Sequence, residues 1–286
     1  MVPKVRVCSE DRSHLAECPI WDGRRLLYLD LTDPAIIELW PGAPEVRHPL
    51  ALPAPLGGLC LLRNGGLAVC CRDGVLRIDP ESLYLDALLS APDTSFQVAP
   101  PNDAAVHPSG WLFIATADAA EKAATAGVFL LTQGRGLQRL LSGYTVGNGP
   151  TFSPDGRIAY IADSPKGVIH SYEWNARNCA LENPKTFAPA DQTPGLPDGL
   201  ATDTDGGIWN ARWGGGMVVR YDPDGRESCR IQVPAKFVTS CAFGGPELRT
   251  LYITTARAEE EGGDLGGHVF AVEVEWTGLP PSLAVI

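Results

Sequence analysis

Six short segments of the chain each begin with a small or polar residue. Five of these residues carry a side-chain oxygen that could bind a cation if the six segments converged in the fold. These anchor residues are Glu17, Gly58, Asn102, Asn148, Asp198 and Ser240. Oxygen ligands of this kind suit a hard divalent cation such as Ca²⁺, Mg²⁺ or Mn²⁺, and also Zn²⁺ or Fe²⁺ where carboxylates dominate. Two carboxylates in one restricted channel would repel each other, and a cation would relieve that repulsion. The anchors therefore predict one divalent metal ion of undetermined identity.

The elements that would bring the anchors together repeat along the chain. Successive anchors are separated by 41, 44, 46, 50 and 42 residues. Each is followed by an apolar strand, a turn rich in Asp, Pro and Gly, and a second strand, as in the pair 157–163 and 167–172. This period is typical of propeller blades of four antiparallel strands, whose first strands line a central channel. We therefore expect an all-β, six-bladed β-propeller with a central metal-binding channel, formed as a single domain by residues 1–286.

The same pattern leaves some local interpretations open. Asp198 in Pro-Asp-Gly and Asn148 in Gly-Asn-Gly could be turn residues, and Glu17 could be a solvated charge at a strand end. Their shared position in the repeat favours the metal site. The alanine-rich stretch 117–126 is either a loop or short helix over one face or a solvated turn. The N-terminal strand 5–7 is expected to close the ring beside residues 268–272.

Composition excludes several classes of partner. The net charge of −11 and the isoelectric point near 4.9 oppose binding to nucleic acid or anionic membranes, because such binding needs clustered Lys and Arg. The sequence has no apolar run long enough to span a bilayer and no signal-peptide core, so we expect a cytoplasmic protein. A small molecule is the expected partner, and a monomer or weak homodimer the expected state.

Cysteine and histidine contribute little to the predicted site. The eight cysteines form no Cys-x-x-Cys pair and lie mostly in apolar stretches, so we expect structural thiols. The five histidines share no anchor position, and His107, which falls in a turn, is expected to be exposed. No Gly-x-Ser-x-Gly motif is present, which argues against a serine triad.

The repeat motifs resemble those of the gluconolactonase/regucalcin (senescence marker protein) family, which includes luciferin-regenerating proteins. Glu17–Asp22 (ECPIWD) is similar to the first-blade signature, residues 147–156 (GNGPTFSPDG) to the fourth, and residues 197–209 (PDGLATDTDGGIW) to the fifth. Further similar stretches at 213–216 and 239–245 extend the resemblance over essentially the whole chain.

The resemblance implies a metal bound by Glu17, Asn148 and Asp198, with Asn102 near the metal's water and the substrate. It further implies hydrolysis of sugar lactones or related esters, in which the metal polarises the carbonyl. Asp198 is the candidate for the proton-accepting group.

One part of blade three departs from the family pattern. Sugar-lactone-hydrolysing members typically carry Arg-x-Asn-Asp-Gly, whereas this chain has Pro100–Ala104 (PPNDA), so proline replaces the arginine that clamps the substrate. Family members usually have an acidic residue just beyond the next strand. Alanine occupies that position in this chain, and Asp118 and Glu121, which lie nearby in sequence, are candidate substrate contacts. A less polar substrate than a typical sugar lactone is therefore expected.

Three functions follow as hypotheses. The first is a metal-dependent hydrolase of a lactone or related ester. The second is an isomerase, cyclase or lyase of specialised metabolism that uses the same metal, which the altered clamp favours. The third is a non-enzymatic, metal-binding regulatory protein, against which the intact set of Glu17, Asn148 and Asp198 argues.

Overall fold

The repeats fold into six antiparallel sheets of four strands each, which form a β-propeller. The structure is a computed structural model and describes residues 4–79, 81–90, 94–189, 193–257 and 265–286. Outside the strands it contains one short helix in these ranges, α1 (Thr94–Val98). The predicted all-β, six-bladed fold is confirmed.

The first three blades are each built from consecutive strands. Blade one contains β2 (Ala16–Trp21), β3 (Leu26–Asp30), β4 (Ala35–Leu39) and β5 (Val46–Pro49). Blade two contains β6 (Leu56–Leu61), β7 (Leu67–Cys71), β8 (Gly74–Ile78) and β9 (Leu85–Ser90). Blade three contains β10 (Pro101–Val106), β11 (Leu112–Thr116), β12 (Ala126–Thr132) and β13 (Gly136–Tyr144).

Blades four and five follow the same order, and blade six joins the two ends of the chain. Blade four contains β14 (Gly147–Phe152), β15 (Ile158–Asp163), β16 (Val168–Asn175) and β17 (Ala180–Pro189). Blade five contains β18 (Leu196–Thr202), β19 (Ile208–Trp213), β20 (Met217–Tyr221) and β21 (Glu227–Gln232). Blade six contains β22 (Val238–Gly244), β23 (Thr250–Thr255), β24 (Phe270–Glu273) and β1 (Arg6–Val7).

The ring closes through the N-terminal strand, as the sequence predicts. Arg6 pairs with Ala271 and Val7 with Phe270, so β1 supplies the outermost strand of blade six. The first strands of neighbouring blades contact one another all the way round, including β2 with both β22 and β6. Closure by the N-terminal strand therefore joins the two ends of the chain in one sheet.

The apolar core is divided among the gaps between blades. Each of the six clusters of buried apolar residues combines side chains of two neighbouring blades. Between blades five and six, for example, the ring of Trp209 meets that of Phe243 edge-on at 5.7 Å. Middle strands such as β3 and β7 are buried along their whole length because both faces meet another blade. The outer strands β5 and β9 are largely exposed.

Every first strand contains an irregularity at its anchor. The pairing register with the second strand shifts between Glu17 and Ile20 in β2 and between Asn148 and Thr151 in β14. Equivalent shifts occur in β6, β10, β18 and β22. A bulge of this kind changes the direction in which a side chain points. The repeated bulges therefore determine which residue of each first strand faces which part of the channel.

His107 corrects one sequence expectation, because it is buried and not exposed. Its Nε2 lies 2.8 Å from the carbonyl oxygen of Gly156, to which it donates in the corresponding tautomer, and Phe152 contacts its ring edge-on. Burial lowers the pKa of this imidazole. The turn of blade three is thus covered by the equivalent turn of blade four. Hairpin turns rich in Asp and Gly, as the repeat predicts, are present at Asp155-Gly156 and Asp205-Gly206.

The chain after β24 crosses the end of the channel remote from Glu17. Ala284 pairs with Leu62, and the amide of Val285 donates to the carbonyl of Gly110. Residues 279–282 line a cavity of about 200 Å³ at this end. Within the described ranges, no helix is long and apolar enough to cross a bilayer.

Candidate functional site

Four of the six anchors line one cavity of about 170 Å³ in the channel. They are Glu17 of blade one, Asn102 of blade three, Asn148 of blade four and Asp198 of blade five. The other two anchors do not take part. Gly58 packs so closely against Ala104 that a side chain at this position would collide with it. Ser240 lines the other cavity, the one of about 200 Å³ beside residues 279–282. The structure therefore brings together all four anchors to which the sequence assigns metal or catalytic roles.

The side chain of Asn148 is held from both sides. Its Nδ2 donates to Ser164 Oγ at 2.8 Å, and its Oδ1 accepts from Asn102 Nδ2 at 2.7 Å. The Ser164 hydroxyl in turn donates to the carbonyl of Pro197 at 2.6 Å, beside Asp198. These bonds orient the Asn148 amide so that its oxygen faces Asn102. Ser164 directly follows β15, the strand that pairs with the anchor strand β14. This position is the only sequence signal that could have identified it.

Glu17 and Asp198 are both buried carboxylates, with 5% and 7% of their surfaces exposed. Desolvation, followed by the charges of Asp198 and Asp103, raises the pKa of Glu17 well above its usual value. Desolvation and the charge of Asp103 likewise raise the pKa of Asp198. The Glu17 carboxylate accepts a hydrogen bond at Oε2 from Cys18 N, at 2.7 Å. Such a pair is costly to ionise unless a cation lies between its members.

The donor set fits a hard divalent cation. In the described part of the chain, no three His, Cys, Asp or Glu side chains are grouped as a metal site. The cavity combines two carboxylates with the amide oxygen of Asn148, and hard cations readily accept such mixed oxygen ligands. A cation here would stabilise the ionised forms of Glu17 and Asp198, whose pKa values are raised mainly by desolvation.

Asp103 is a further carboxylate of the channel to which the sequence assigned no role. Its Oδ2 accepts from the amide of Gly149 at 2.6 Å, and its Oδ1 accepts from the amide of Ala104 at 2.7 Å. Burial raises its pKa to about 6. The Cys18 thiol also donates to Oδ1 at 3.7 Å, from a backbone with a φ of 52°. Asp103 thus ties blade three to the Asn148 region of blade four.

The alanine-rich stretch forms a loop at the mouth of the cavity. Asp118 does not line the cavity, because its carboxylate lies inside the loop. Its Oδ2 accepts from the amides of Lys122 and Ala123, and its Oδ1 accepts from the Thr125 hydroxyl at 2.5 Å. Glu121, in contrast, does line the cavity, and its charge contributes to the raised pKa of Asp198. Of the two predicted substrate contacts, the structure therefore brings only Glu121 to the site.

The rest of the wall is largely apolar. The apolar lining residues are Leu15, Leu31, Val146, Pro165, Leu196 and Trp213. Pro100, at the position of the family's clamping arginine, is buried, and its carbonyl accepts from Ala117 N at 3.0 Å. Pro100 does not line the cavity, and proline carries neither a side-chain donor nor a charge, so this position offers no cationic group to a substrate.

Behind Asp198, two buried polar side chains hold the backbone in place. Asn210 Nδ2 donates to the carbonyl of Asp198 at 3.1 Å, and Arg212 Nη1 donates to Asn210 Oδ1 at 3.1 Å. The Arg212 guanidinium also donates to the carbonyls of Thr193 and Gly195. Both side chains lie on β19 and were not identified from the sequence, where they read as ordinary strand residues.

Several named proteins are similar to this chain over nearly its whole length. Pentonolactonase XacC of Haloferax volcanii is 32% identical over 280 residues, which cover 93% of each chain. The 6-deoxy-6-sulfogluconolactonase of Pseudomonas putida is 34% identical over 279 residues, which cover 95% of each chain. A crystal structure of the calcium-binding protein regucalcin from Agrobacterium tumefaciens is 26% identical, with a TM-score of 0.91 and coverage of 100% of this chain and 99% of that chain.

The matched family model covers the part of the chain that forms the cavity. Residues 15–257 match the family model described as the SMP-30/Gluconolactonase/LRE-like region. The match begins just before the first anchor and ends just after β23, so it includes every residue that lines the cavity. This chain therefore belongs to the SMP-30/gluconolactonase/LRE-like family.

Proposed function

We propose that this protein is a divalent-metal-dependent hydrolase that opens a lactone or a related ester of a small molecule. One observation carries the proposal: Glu17, Asn102, Asn148 and Asp198, from four different blades, line a single cavity. The lactonase names of two relatives at 32% and 34% identity support hydrolysis of a lactone ring. The calcium-binding relative supports a divalent cation.

Glu17, Asn148 and Asp198 would hold the cation through their side-chain oxygens. When bound, the cation would polarise the lactone carbonyl and so make it more reactive toward water. The hydrogen bond from Asn148 Nδ2 to Ser164 orients the amide, and its oxygen, which accepts from Asn102, has a second lone pair that could bind the cation. Ca²⁺, Mg²⁺, Mn²⁺, Zn²⁺ and Fe²⁺ all accept such oxygen ligands, and the first test must compare them.

Asp198 would accept the proton of the attacking water. Its carboxylate lies in the cavity, and the bonds of Asn210 hold its backbone, so the acceptor is fixed in position. With a cation beside it, the group would remain ionised in spite of its burial. Asn102 would orient the substrate or the water, since its side chain lies beside Asn148 at the cavity wall.

The substrate we propose is not a typical sugar lactone. Pro100 stands at the position to which the family resemblance assigns a substrate-clamping arginine, and six apolar residues form much of the cavity wall. A densely hydroxylated ring would leave several hydroxyl groups without partners, and each unpaired buried group is costly. A lactone with one apolar face fits this wall better.

The test is proton release from a panel of lactones by purified protein stripped with a chelator and then reloaded with each cation. We expect hydrolysis that depends on the cation and is lost in Glu17→Gln. Asp205→Asn is the matched control, because Asp205 is an exposed residue of a hairpin turn. Rearranged but unhydrolysed products would favour the isomerase, cyclase or lyase alternative. Cation binding without any reaction would favour a regulatory protein.

A further inference from the structure

The cavity carries more negative charge than one divalent cation would offset. Glu17 and Asp198 contribute two carboxylates, and Glu121 at the mouth contributes a third. Two charges are balanced by a bound divalent ion, so one negative charge remains. Glu121 is exposed to solvent at the mouth, so water and salt screen its charge in part, but a substrate that enters the cavity passes close to it.

Two neighbouring basic residues are held elsewhere, and a third, Lys122, is exposed on the loop of Glu121 and does not line the cavity. Lys166 follows the lining residue Pro165, but its Nζ pairs with Asp163 Oδ2 at 2.7 Å and donates to the carbonyl of Gly143 at 2.8 Å. Arg212 precedes Trp213, and its guanidinium is buried against backbone carbonyls. No Lys or Arg is among the described residues that line the cavity.

The rest of the sequence agrees with this charge distribution. The residues outside the described ranges are 1–3, 80, 91–93, 190–192 and 258–264. Their sequence contains Asp and Glu but neither Lys nor Arg. Every basic residue of the chain is therefore among those whose position is described, and none lines the cavity.

We propose that this site selects lactones without negative charge, and that Glu121 is the residue that excludes anionic ones. The inference rests on the proposed function and specifies its substrate class as uncharged lactones with an apolar face. A carboxylate, phosphate or sulfonate on the substrate would approach Glu121 with no Lys or Arg among the lining residues to pair with it. In this respect the site differs from what the relative named for a sulfonated lactone must accommodate.

The experiment compares kcat/KM for matched pairs of lactones that differ only in one exocyclic carboxylate or sulfonate. We expect the wild-type protein to favour the neutral member by about 10-fold or more, and added salt to narrow the preference through screening. Glu121→Gln should reduce the preference for the neutral lactone. Glu121→Lys should reduce that preference by about 10-fold or reverse it in favour of the anionic lactone. Glu81→Lys, an equal change of charge at an exposed turn of blade two, should leave the preference unchanged.

Binding of lactam analogues, which resist hydrolysis, tests the selection by charge separately from the hydrolysis of lactones. Calorimetry with neutral and anionic lactams measures charge selection without turnover. If the lactams bind selectively but no lactone is hydrolysed, the proposed function fails and the charge selection stands. If anionic and neutral members are bound and hydrolysed equally, or Glu121→Lys changes nothing, the charge selection is refuted although the protein is a lactonase.

Discussion

Arg212 donates from Nη1 to the side-chain oxygen of Asn210 over 3.1 Å, and this contact links a loop to the strand that carries Asp198. On one side, the guanidinium holds the carbonyls of Thr193 and Gly195, which precede β18. On the other, Asn210 donates to the carbonyl of Asp198. One fully buried cation, satisfied by carbonyl and amide oxygens, thus fixes the backbone on which a proposed metal ligand stands.

Replacement of Arg212 by methionine should destabilise the protein by about 2 to 4 kcal/mol, because buried carbonyl groups lose their donors. It should also weaken cation binding, since Asn210 and the backbone of Asp198 lose their support. Thermal unfolding and calorimetric titration with Ca²⁺ measure the two effects. Arg226→Met removes an exposed guanidinium that pairs with Asp224, and it should leave the melting temperature close to that of the wild-type protein. Equal melting temperatures for the two variants would contradict this role of Arg212.

Asp198→Asn tests whether this side chain accepts a proton in addition to binding the cation. The amide preserves the size and one oxygen ligand but cannot act as a base. We expect kcat to remain lower by about 10² to 10⁴-fold at cation concentrations that saturate the site. Metal content and kcat should be measured on the same sample, with Asp205→Asn as control. Near-normal kcat at full occupancy would eliminate the proton-accepting role and leave Asp198 as a ligand only.

Gluconolactone should be a poor substrate compared with less hydroxylated lactones. Pro100 offers no charged donor to the sugar hydroxyl groups, and the loss of such a hydrogen bond costs about 1.5 kcal/mol or more. That corresponds to about 10-fold or more in kcat/KM. A panel that varies ring size and the number of hydroxyl groups gives the measurement. If gluconolactone proved the best substrate of the panel, the interpretation of Pro100 would be wrong.

The stability of the metal-free protein should fall as the pH rises from about 4 through about 6. Burial raises the pKa of Asp103 to about 6, whereas an unfolded aspartate has a pKa near 3.9. The folded state therefore binds this proton more tightly, and the advantage is lost as the pH passes the folded value. The raised pKa values of Glu17 and Asp198 act in the same direction. Saturating Ca²⁺ should reduce the loss, because the cation favours ionised carboxylates.

Melting temperature against pH, with a chelator and then with Ca²⁺, checks this prediction. Asp103→Asn should flatten the curve measured with the chelator, because one of the titrating groups is gone. A melting temperature that rises between pH 4.5 and 7 in the chelator would show that other groups dominate.

Asp118→Ala should disturb the loop that carries Glu121 without weakening cation binding. The carboxylate accepts hydrogen bonds from the amides of Lys122 and Ala123 and from Thr125, so its loss frees the loop. We expect KM to rise several-fold and the calorimetric affinity for Ca²⁺ to stay within about 2-fold. Asp155→Ala removes a comparable turn carboxylate remote from the cavity and serves as the control. If Asp118→Ala instead abolished Ca²⁺ binding, its effect would extend beyond the loop.

The sequence was sufficient for the architecture because the relevant information is periodic. An anchor every 41 to 50 residues, followed by apolar strands and Asp-Gly turns, predicts four-stranded blades and their number. Because the first strands of all blades share one axis, the same period placed Glu17, Asn102, Asn148 and Asp198 at one cavity. The closing strand at 5–7 was also predictable, since the last blade otherwise lacks its outer partner.

Only the tertiary structure decided which of two adjacent residues faces the site. Side chains alternate along a strand, and a bulge changes that alternation. Spacing alone therefore grouped Ser240 with the other anchors, although it lines the other cavity, and it overlooked Asp103. His107 is buried because a turn of the next blade covers it, and Asp118 turns inward because the amides of its own loop surround it. These placements depend on contacts between segments that are distant in sequence or on the path of an irregular loop. The sequence by itself determined the blades and the convergence of four anchors on one cavity, and packing between blades decided the orientation of each side chain.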